Sequence, residues 1–344
     1  MTTTLGQEVP IAKIDASLRA LWEHNDAPTR ASLTNFAIYS ECDDCLATNS
    51  GLIGEITDEH ACRALLIASR PGSAERRVQA WITAHCQLGD GGRKSVCSEQ
   101  IAFLLEGSDG NMLRNIVFAH LDSDLPLIFW WQGALTEVFT DRLYSLIDRL
   151  IIDSSEWRDP AEQFPILSEA RKDPSSRFIL YDLTWGRLMG FRLALGGIFD
   201  DPAALAALPA LSAVTITHSK DGALAAALFL AWIAHNLKWS VTSRTTATAP
   251  GGREIRLSLA EDATAPGTLA RIELTTDDSS FVITRKPDSR FLKATINADG
   301  HSAEQIYPAP PDDQASLVIQ QLTRGGNNQA YFGLLPTALS FVAR

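Results

Sequence analysis

The chain has 344 residues, of which 45% are apolar, and its formal net charge is −11. This length predicts about two domains, and the apolar fraction is sufficient for a substantial core. The negative charge argues against a nucleic-acid surface, which needs a basic stripe, and against an anionic membrane surface. A basic patch on a protein partner would be attracted to this chain.

The amino terminus has neither the basic region nor the apolar region of a signal peptide. No charge-free apolar run approaches the length of a transmembrane helix, and the longest, residues 222–234, predicts a buried helix. The cysteine count of 5 is odd. The simplest interpretation is a reduced, cytoplasmic protein.

The first half of the chain alternates between helical and strand patterns. Apolar spacing predicts helices near residues 11–24, 42–56 and 111–121, and another from about 136 to 150. Strand patterns lie near residues 33–39, 63–69, 77–87, 95–105, 127–131 and 150–152. The glycine-rich link Leu88–Gly92 predicts a hairpin between the strands on either side of it.

The second half begins after a predicted boundary region, residues 160–174. Its pattern predicts a helix at 185–199, a β-α-β unit at 213–218, 221–235 and 239–243, an antiparallel meander at 255–259, 270–275, 281–285 and 291–296, and helices at 312–324 and 329–343. The expected fold class is therefore α/β (mixed α+β), with two domains, 1–158 and 159–344. Each would be a mixed sheet with flanking helices, and the second would carry the antiparallel strands.

The sequence contains no recognisable catalytic constellation. Glycine-rich phosphate loops, nucleophile elbows and zinc-protease motifs are all missing from it. Cys42 and Cys45 form a C-x-x-C pair, which is compatible with a redox dithiol or half of a metal site. With no second pair for zinc, and with intervening aspartates that would raise a thiol pKa, two ordinary helix cysteines are the favoured interpretation. No metal and no cofactor are predicted.

Two acidic segments are candidates for acid–base chemistry. Asp122 and Asp124 precede the aromatic strand at 127–131, but loop and helix-terminus roles account for them more simply. The segment Asp153–Glu156 follows a predicted strand, where α/β sheets bind ligands, yet Asp and Ser are also ordinary helix caps.

An anion site is the best small-molecule hypothesis. Ser219 and Lys220 lie between a predicted strand and a helix N-terminus, where free N–H groups and the helix dipole favour negative charge. Asp221 opposes such a role, and helix capping alone explains the serine or the aspartate.

The aromatic residues are less ordinary. Trp130 and Trp131 are adjacent on one strand, so their side chains must point to opposite faces of the sheet. One can enter the core, and the other needs a second layer, a domain interface or a partner.

Three segments around these residues resemble one known family. Residues 125–133 (LPLIFWWQG) are similar to the L-P-hydrophobic-W-W-x-G segment of the glucose-6-phosphate dehydrogenase assembly protein family (OpcA). Residues 148–157 (DRLIIDSSEW) resemble its R-hydrophobic-D-S-x-x-W segment, and residues 182–192 its D-L-x-W-x-R-L…W-R segment. Phe191 stands where tryptophan is usual, and the first 60 residues and the meander match weakly.

The resemblance implies a non-catalytic, two-domain protein that binds glucose-6-phosphate dehydrogenase and raises its activity in the oxidative pentose phosphate pathway. Some relatives are linked to thiol regulation, but no motif here carries it to Cys42 or Cys45. The alternative function is a sugar-phosphate sensor or enzyme at Ser219 and Lys220.

Tryptophan and arginine dominate protein-interface hot spots, so the matched segments supply the interface candidates. These are Trp130, Trp131, Trp157, Trp185, Arg187 and Arg192. A role in holding the fold together is the competing interpretation for all of them, and for the two adjacent tryptophans and the two arginines it is the favoured one.

Overall fold

The computed structural model describes residues 5–23, 32–42, 44–88, 94–107, 110–287, 289–324 and 329–342. Its strands are β1 (Gln7–Glu8), β2 (Asn35–Ser40), β3 (Arg63–Arg70), β4 (Arg77–Leu88), β5 (Lys94–Glu106), β6 (Leu127–Trp131), β7 (Arg149–Ile152), β8 (Ile179–Asp182), β9 (Ala213–His218), β10 (Ser240–Val241), β11 (Thr246–Thr248), β12 (Glu254–Glu261), β13 (Leu269–Thr275), β14 (Ser280–Arg285), β15 (Phe291–Ala298) and β16 (His301–Pro308). Its helices are α1 (Ile14–Glu23), α2 (Cys45–Glu59), α3 (Gly110–Ala119), α4 (Asp141–Tyr144), α5 (Pro160–Lys172), α6 (Leu183–Arg187), α7 (Met189–Ile198), α8 (Pro202–Ala207), α9 (Ala223–Asn236), α10 (Gln314–Arg324) and α11 (Gln329–Val342).

The chain divides into two compact units. The first unit contains residues 1–181 and 314–327, and the second contains residues 182–313 and 328–344. This division differs from the predicted domains, 1–158 and 159–344, because β8 extends the first sheet and α10 contacts α2. The segment 160–174, predicted as a boundary, is mostly helical. Asp159 caps α5 through Ala161 N at 2.9 Å, and Pro160 occupies the first turn, which tolerates proline.

The first unit is built on a mixed sheet with the strand order β1-β4-β5-β3-β2-β6-β7-β8. Its centre is parallel: β2 pairs with β3 on one side and β6 on the other, and β7 follows β6. All residues of β2 and β6 are buried, as expected for parallel strands covered on both faces. The predicted hairpin strands are confirmed as the antiparallel pair β4–β5, and the predicted turn at 89–92 lies outside the described residues.

The predicted helix from 136 to 150 is wrong. Only the single turn of α4 forms there, and the chain then enters β7. The apolar residues of this segment are buried individually, since Val138, Phe139, Leu143 and Ile147 are each less than one tenth exposed. The spacing that imitated a helical face therefore arises from an irregular segment packed against the core.

The second unit is built on a second mixed sheet with the order β10-β11-β12-β9-β13-β14-β15-β16. The predicted β-α-β unit is only partly correct, because the parallel neighbour of β9 is β12, whereas the short β10 pairs with β11 at the sheet edge. The meander is formed by β13 to β16, including a strand at 301–308 that the pattern did not predict. The polar alternation in β16 leaves no residue fully buried, which explains its weak signal.

Helix α9 is buried on most of its surface, as the apolar run at 222–234 predicts. No single helix in the described ranges has both the length and the apolarity that crossing a bilayer requires. The helical segments 183–198 and 202–210 have the required length and apolarity only when they are taken together, and a bend of 90° separates them. Two mixed α/β sheets with flanking helices confirm the predicted fold class.

Asp159→Ala should weaken the first unit by about 1 kcal/mol, because the substitution removes the side-chain acceptor for Ala161 N at the start of α5. Asp159→Asn is the matched control, since asparagine can accept the same hydrogen bond. Urea denaturation followed by tryptophan fluorescence measures the difference. An equal loss of unfolding free energy in both variants would contradict the capping role of Asp159.

Candidate functional site

A crevice opens at the carboxyl end of the first sheet, where β2 has neighbours on both sides. In open α/β sheets this switch point is where ligands bind. A cavity of about 620 Å³ lies there, within the first unit. Its lining comes from the loop after β2, the first turns of α2, the loop after β6 and two further side chains: Ser40, Glu41, Cys42, Asp44, Cys45, Thr48, Asn49, Leu52, Gln132, Gly133, Ala134, Thr136, Glu156 and Gln314.

Glu41 is held in place by two hydroxyl donors. The Tyr39 hydroxyl donates to Glu41 Oε1 at 2.5 Å, and Thr136 Oγ1 donates to the same oxygen at 2.8 Å. Burial, followed by the hydrogen bond to this carboxylate, raises the pKa of Tyr39 far above its usual value. The phenol therefore stays protonated and serves as a donor rather than as a base.

An amide pair joins α2 to the loop after β6 across the cavity. Asn49 Nδ2 donates to Gln132 Oε1 at 3.0 Å, and Gln132 Nε2 donates back to Asn49 Oδ1 at 2.9 Å. The Gln132 backbone N–H also donates to Tyr39 O at 2.9 Å. Reciprocal bonding uses one donor and one acceptor of each amide, so this wall of the cavity is structurally fixed.

The loop after β6 is clamped by two indoles. Trp131 Nε1 donates to Ala134 O at 2.9 Å, and Trp157 Nε1 donates to Gly133 O at 2.8 Å. Gly133 has a φ of +79°, a conformation that side chains rarely adopt, and its N–H donates to Glu156 Oε2 at 3.1 Å. Segments 125–133 and 148–157, which resemble the known family, therefore contact each other at this loop. Gly133 forms the turn, and Glu156 and Trp157 hydrogen-bond to its backbone.

The charge of the cavity is negative. Glu41, Asp44 and Glu156 line it, and no lysine or arginine is among its described lining residues. Glu156 Oε1 accepts from Gln314 Nε2 at 2.5 Å, and Asp153 accepts from the same amide at 3.4 Å while capping the turn at Ser155. A phosphate group needs converging N–H donors or cations, whereas this crevice presents carboxylates.

The cysteines differ from the expected set of free thiols. Cys42 and Cys45 are joined by a disulfide at the cavity wall, and Cys86 and Cys97, which face each other across β4 and β5, form a second one. Cys62 is a buried thiol, and burial raises its pKa to about 12, so it is not a nucleophile at neutral pH. Within the described ranges, no group of three His, Cys, Asp or Glu side chains is arranged as a metal site.

The predicted interface residues of the first unit are buried. Trp130 and Trp131 are fully buried on β6, and Trp157 is 5% exposed. Trp131 packs on Tyr39 with ring centroids 4.4 Å apart, and Trp157 meets Phe164 edge-on at 5.1 Å. A buried side chain cannot contact a partner without rearrangement, so these contacts support the fold-holding interpretation, and the interface role stays a prediction.

The predicted residues of the second unit form a separate cluster. Arg192 places its guanidinium 3.7 Å from the centroid of the Trp185 ring and donates to Trp185 O at 3.1 Å. Burial lowers the pKa of Arg192 to about 10, and it pairs with no carboxylate in the described part of the chain. Arg187, also buried, donates through Nε to Asp312 O at 3.4 Å. The aromatic face of Trp185 therefore stabilises a partly buried cation.

Asp182 organises this second cluster. Its Oδ1 caps α6 through Thr184 N at 3.0 Å, and its Oδ2 accepts from the Tyr331 hydroxyl at 2.5 Å. Tyr331 in turn meets the Trp185 ring edge-on, with centroids 5.8 Å apart. Asp182, Trp185 and Arg192 of the third matched segment thus belong to one packed cluster, which explains their spacing in the sequence.

The remaining candidates stay apart from both clusters. Ser219 and Lys220 precede α9 in a turn, with Ser219 N donating to Thr268 O at 3.2 Å. Lys220 is exposed and forms no ion pair with any described residue. Asp122 and Asp124 lie in the loop before β6, where the Asp122 carbonyl accepts from Asn35 Nδ2 at 2.9 Å, so that carbonyl has a structural role.

Sequence reasoning missed the polar lining of the cavity, Glu41, Asn49, Gln132 and Thr136. A positional signal was available, since two of these residues come directly after the ends of β2 and β6. Carboxyl ends of neighbouring parallel strands meet at one edge of a sheet. The pairing of β2 with β6 was not visible in the sequence, because 86 residues lie between the end of β2 and the start of β6.

Trp131→Phe should destabilise the chain by about 1 kcal/mol more than Trp130→Phe. Both changes remove the same atoms from fully buried positions on one strand, but only Trp131 has a hydrogen-bonded N–H; Trp130 Nε1 has no partner among the described residues. Urea denaturation of the two variants measures the difference. A larger loss of unfolding free energy for Trp130→Phe would contradict a stabilising role of the hydrogen bond from Trp131 to Ala134 O.

The chain matches the sequence profiles of two domains of one known family, described as a glucose-6-phosphate dehydrogenase subunit. Residues 54–169 match its N-terminal domain, and residues 179–333 match its C-terminal domain. Two curated relatives carry the name OxPP cycle protein OpcA. The protein from Synechocystis sp. is 22% identical over 308 residues, covering 82% of this chain and 64% of the relative. The protein from Nostoc punctiforme is 27% identical over 201 residues, covering 57% and 42%.

Solved structures of similar fold and low sequence identity include oxidoreductases. The K102A variant of KijD10, a 3-ketoreductase from Actinomadura kijaniata in complex with NADP, has a TM-score of 0.50 at 12% identity, covering 90% of this chain and 96% of that protein. This similarity shows a shared fold and nothing about activity.

The chain spans less than two thirds of the length of the curated relatives it matches. The two profiles nevertheless cover residues in both compact units, and together they extend over most of the chain. The chain belongs to the OpcA family of glucose-6-phosphate dehydrogenase assembly proteins.

Proposed function

We propose that this chain is a non-catalytic assembly factor that binds glucose-6-phosphate dehydrogenase and raises its activity in the oxidative pentose phosphate pathway. The observation that carries the proposal is the match to both domains of the OpcA family, which spans residues 54–169 and 179–333. The partner in this proposal is the dehydrogenase, with no nucleic acid and no membrane. A cytoplasmic location stays a prediction.

The chemistry of the crevice supports a binding role over coenzyme chemistry. Dinucleotide-binding sheets use a glycine-rich turn after the first strand, so that backbone N–H groups approach the pyrophosphate. The corresponding turn here carries Glu41, Cys42 and Asp44, and two of these residues bring carboxylates to the cavity. Like charges facing a diphosphate would disfavour binding strongly.

Activation follows from differential binding to two states of the dehydrogenase. A protein that binds the active conformer or oligomer more tightly than the inactive one shifts the population toward it. A coupling free energy of about 1–3 kcal/mol would change apparent substrate affinity by roughly 5-fold to 150-fold. No catalytic residue of this chain is required for such an effect.

The role of the predicted interface residues becomes indirect in this proposal. Trp131 and Trp157 hold the loop at Gly133, and Trp185 holds Arg192. Their burial favours shaping of the neighbouring surface over direct contact with the dehydrogenase. Trp130 and Arg187, which are also buried, belong to the same interpretation.

No observation favours the alternative of a sugar-phosphate site at Ser219 and Lys220. Lys220 is exposed next to the exposed carboxylate of Asp221, and Gly222 at the start of α9 has no room for a side chain because Thr268 O lies against it. This close packing explains the glycine without a ligand.

Mixing the chain with the dehydrogenase from the same cell tests the proposed function. We expect co-elution in size-exclusion chromatography and a lower KM or higher kcat for the dehydrogenase. The dehydrogenase of an unrelated species is the matched control. Absence of both binding and kinetic change over a wide concentration range would refute the proposal.

NADP⁺ should leave the thermal stability of the chain unchanged, because the carboxylates of Glu41 and Asp44 lie in the coenzyme crevice. A coenzyme bound at a hundredfold excess over its Kd would stabilise the folded chain by about 2.7 kcal/mol, which thermal denaturation detects easily. The dehydrogenase in the same buffer serves as the positive control. A stabilisation of the chain by NADP⁺ would support an enzyme or a coenzyme sensor instead.

A further inference from the structure

The second sheet has one covered face and one open face. Inward-pointing residues of its central strands, including Ile216, Ile272, Ile283 and Ile296, are fully buried. Their neighbours along each strand alternate with them and are partly or fully exposed. Antiparallel sheets tolerate such one-sided burial when the open face is polar.

Strand register arranges the open face in rows, and two adjacent rows carry its paired charges. Residues directly paired across strands share a face, so each row crosses five strands. The cationic row consists of Thr217, Arg271, Thr284, Lys293 and Ile306. The acidic row consists of Thr215, Glu273, Val282, Thr295 and Glu304.

The charges of the two rows compensate each other. Arg271 Nη2 lies 3.0 Å from Glu273 Oε1, and Lys293 Nζ lies 2.5 Å from Glu304 Oε1. The rows are therefore neutral in sum, although the chain as a whole carries −11. Two copies of a strongly acidic chain repel each other over most of their surfaces. They can approach at this face without the repulsion.

The two rows are also complementary to themselves. A two-fold axis in the plane of the interface, running between the rows and parallel to them, places the cationic row of one copy opposite the acidic row of the other. Arg271 of each copy then faces Glu273 of the other, which is the position where opposite charges meet. Lys293 faces Thr295, and Glu304 faces Ile306. The small residues Thr215 and Thr217 also face each other. Self-complementarity of this kind is what an isologous dimer requires.

The area of the face is sufficient for a dimer. The face contains six adjacent strands, in the order β12-β9-β13-β14-β15-β16. With a strand spacing of about 4.8 Å and about six residues from each strand, its area is roughly 600 Å² per copy. Two copies would bury on the order of 1,200 Å², which is the lower end of the range for stable, specific interfaces.

We propose that the open face of the second sheet, formed by the cationic row and the acidic row, is the interface of a symmetric homodimer of this chain. The sheets pack face to face, with the small threonines allowing close approach and the charged residues fixing the register. This inference does not depend on the proposed function, since it concerns the chain alone.

Sedimentation velocity of the full chain from about 1 to about 100 μM tests the dimer, since interfaces of this size commonly have dissociation constants in or below that range. We expect dimers for the native chain and monomers for Val282→Arg, which places a long cation in the centre of the face. Leu193→Arg is the matched control, because Leu193 on α7 is 58% exposed and lies outside both rows. It should dimerise like the native chain.

A charge reversal tests the register. Arg271→Glu, or Glu273→Arg, places like charges opposite each other and should weaken the dimer roughly tenfold or more. The double variant carrying both changes restores opposite charges and should recover the native dissociation constant. A native chain that sediments as a monomer throughout would overturn the proposal, as would a Val282→Arg dimer of native affinity or a double variant as weak as the single ones.

Discussion

Burial of β2 and β6 on both faces is the constraint on which the first unit depends. Two parallel strands with no exposed residue can be stable only when layers cover both sides, and adjacent tryptophans on β6 supply a large side chain to each layer. The same constraint brings the ends of both strands to one edge. The loops that follow must then leave the sheet side by side, and the polar cavity forms between them.

The loop after β6 shows how this constraint reaches the surface. The Trp131 and Trp157 indoles combine apolar bodies in the core with N–H groups that end on the carbonyls of Ala134 and Gly133. The core therefore determines the position of a surface loop directly. The second unit uses a related device, in which Trp185 packs against Tyr331 and carries the guanidinium of Arg192 on its ring. In both units a tryptophan that the sequence predicts as an interface residue makes contacts that position its neighbours, and the interface role itself stays a prediction.

The acidic loop after β2 lies at the switch point of the first sheet, and its side chains determine the chemistry of the crevice. The fold supplies a crevice regardless of sequence, because the strand order creates it. What binds there depends on the side chains of the turn, and here they are carboxylates already engaged by Tyr39, Thr136 and Gln314.

The sequence by itself determined the fold class, most strands, the buried helix α9 and the three segments that identify the family. These features are local, because strand alternation, helical spacing and short motifs are written in consecutive residues. Local patterns failed at residues 136–150, where the buried residues of an irregular segment have the spacing of a helical face. They also failed at 160–174, where prolines obscured the helix α5. Only the tertiary structure decided that β12 pairs with β9, that Cys86 meets Cys97, and that Glu41, Asn49 and Gln132 line one cavity. It also decided that the four tryptophans predicted as interface residues are buried, because exposure depends on which layers cover an element, and those layers come from distant parts of the chain.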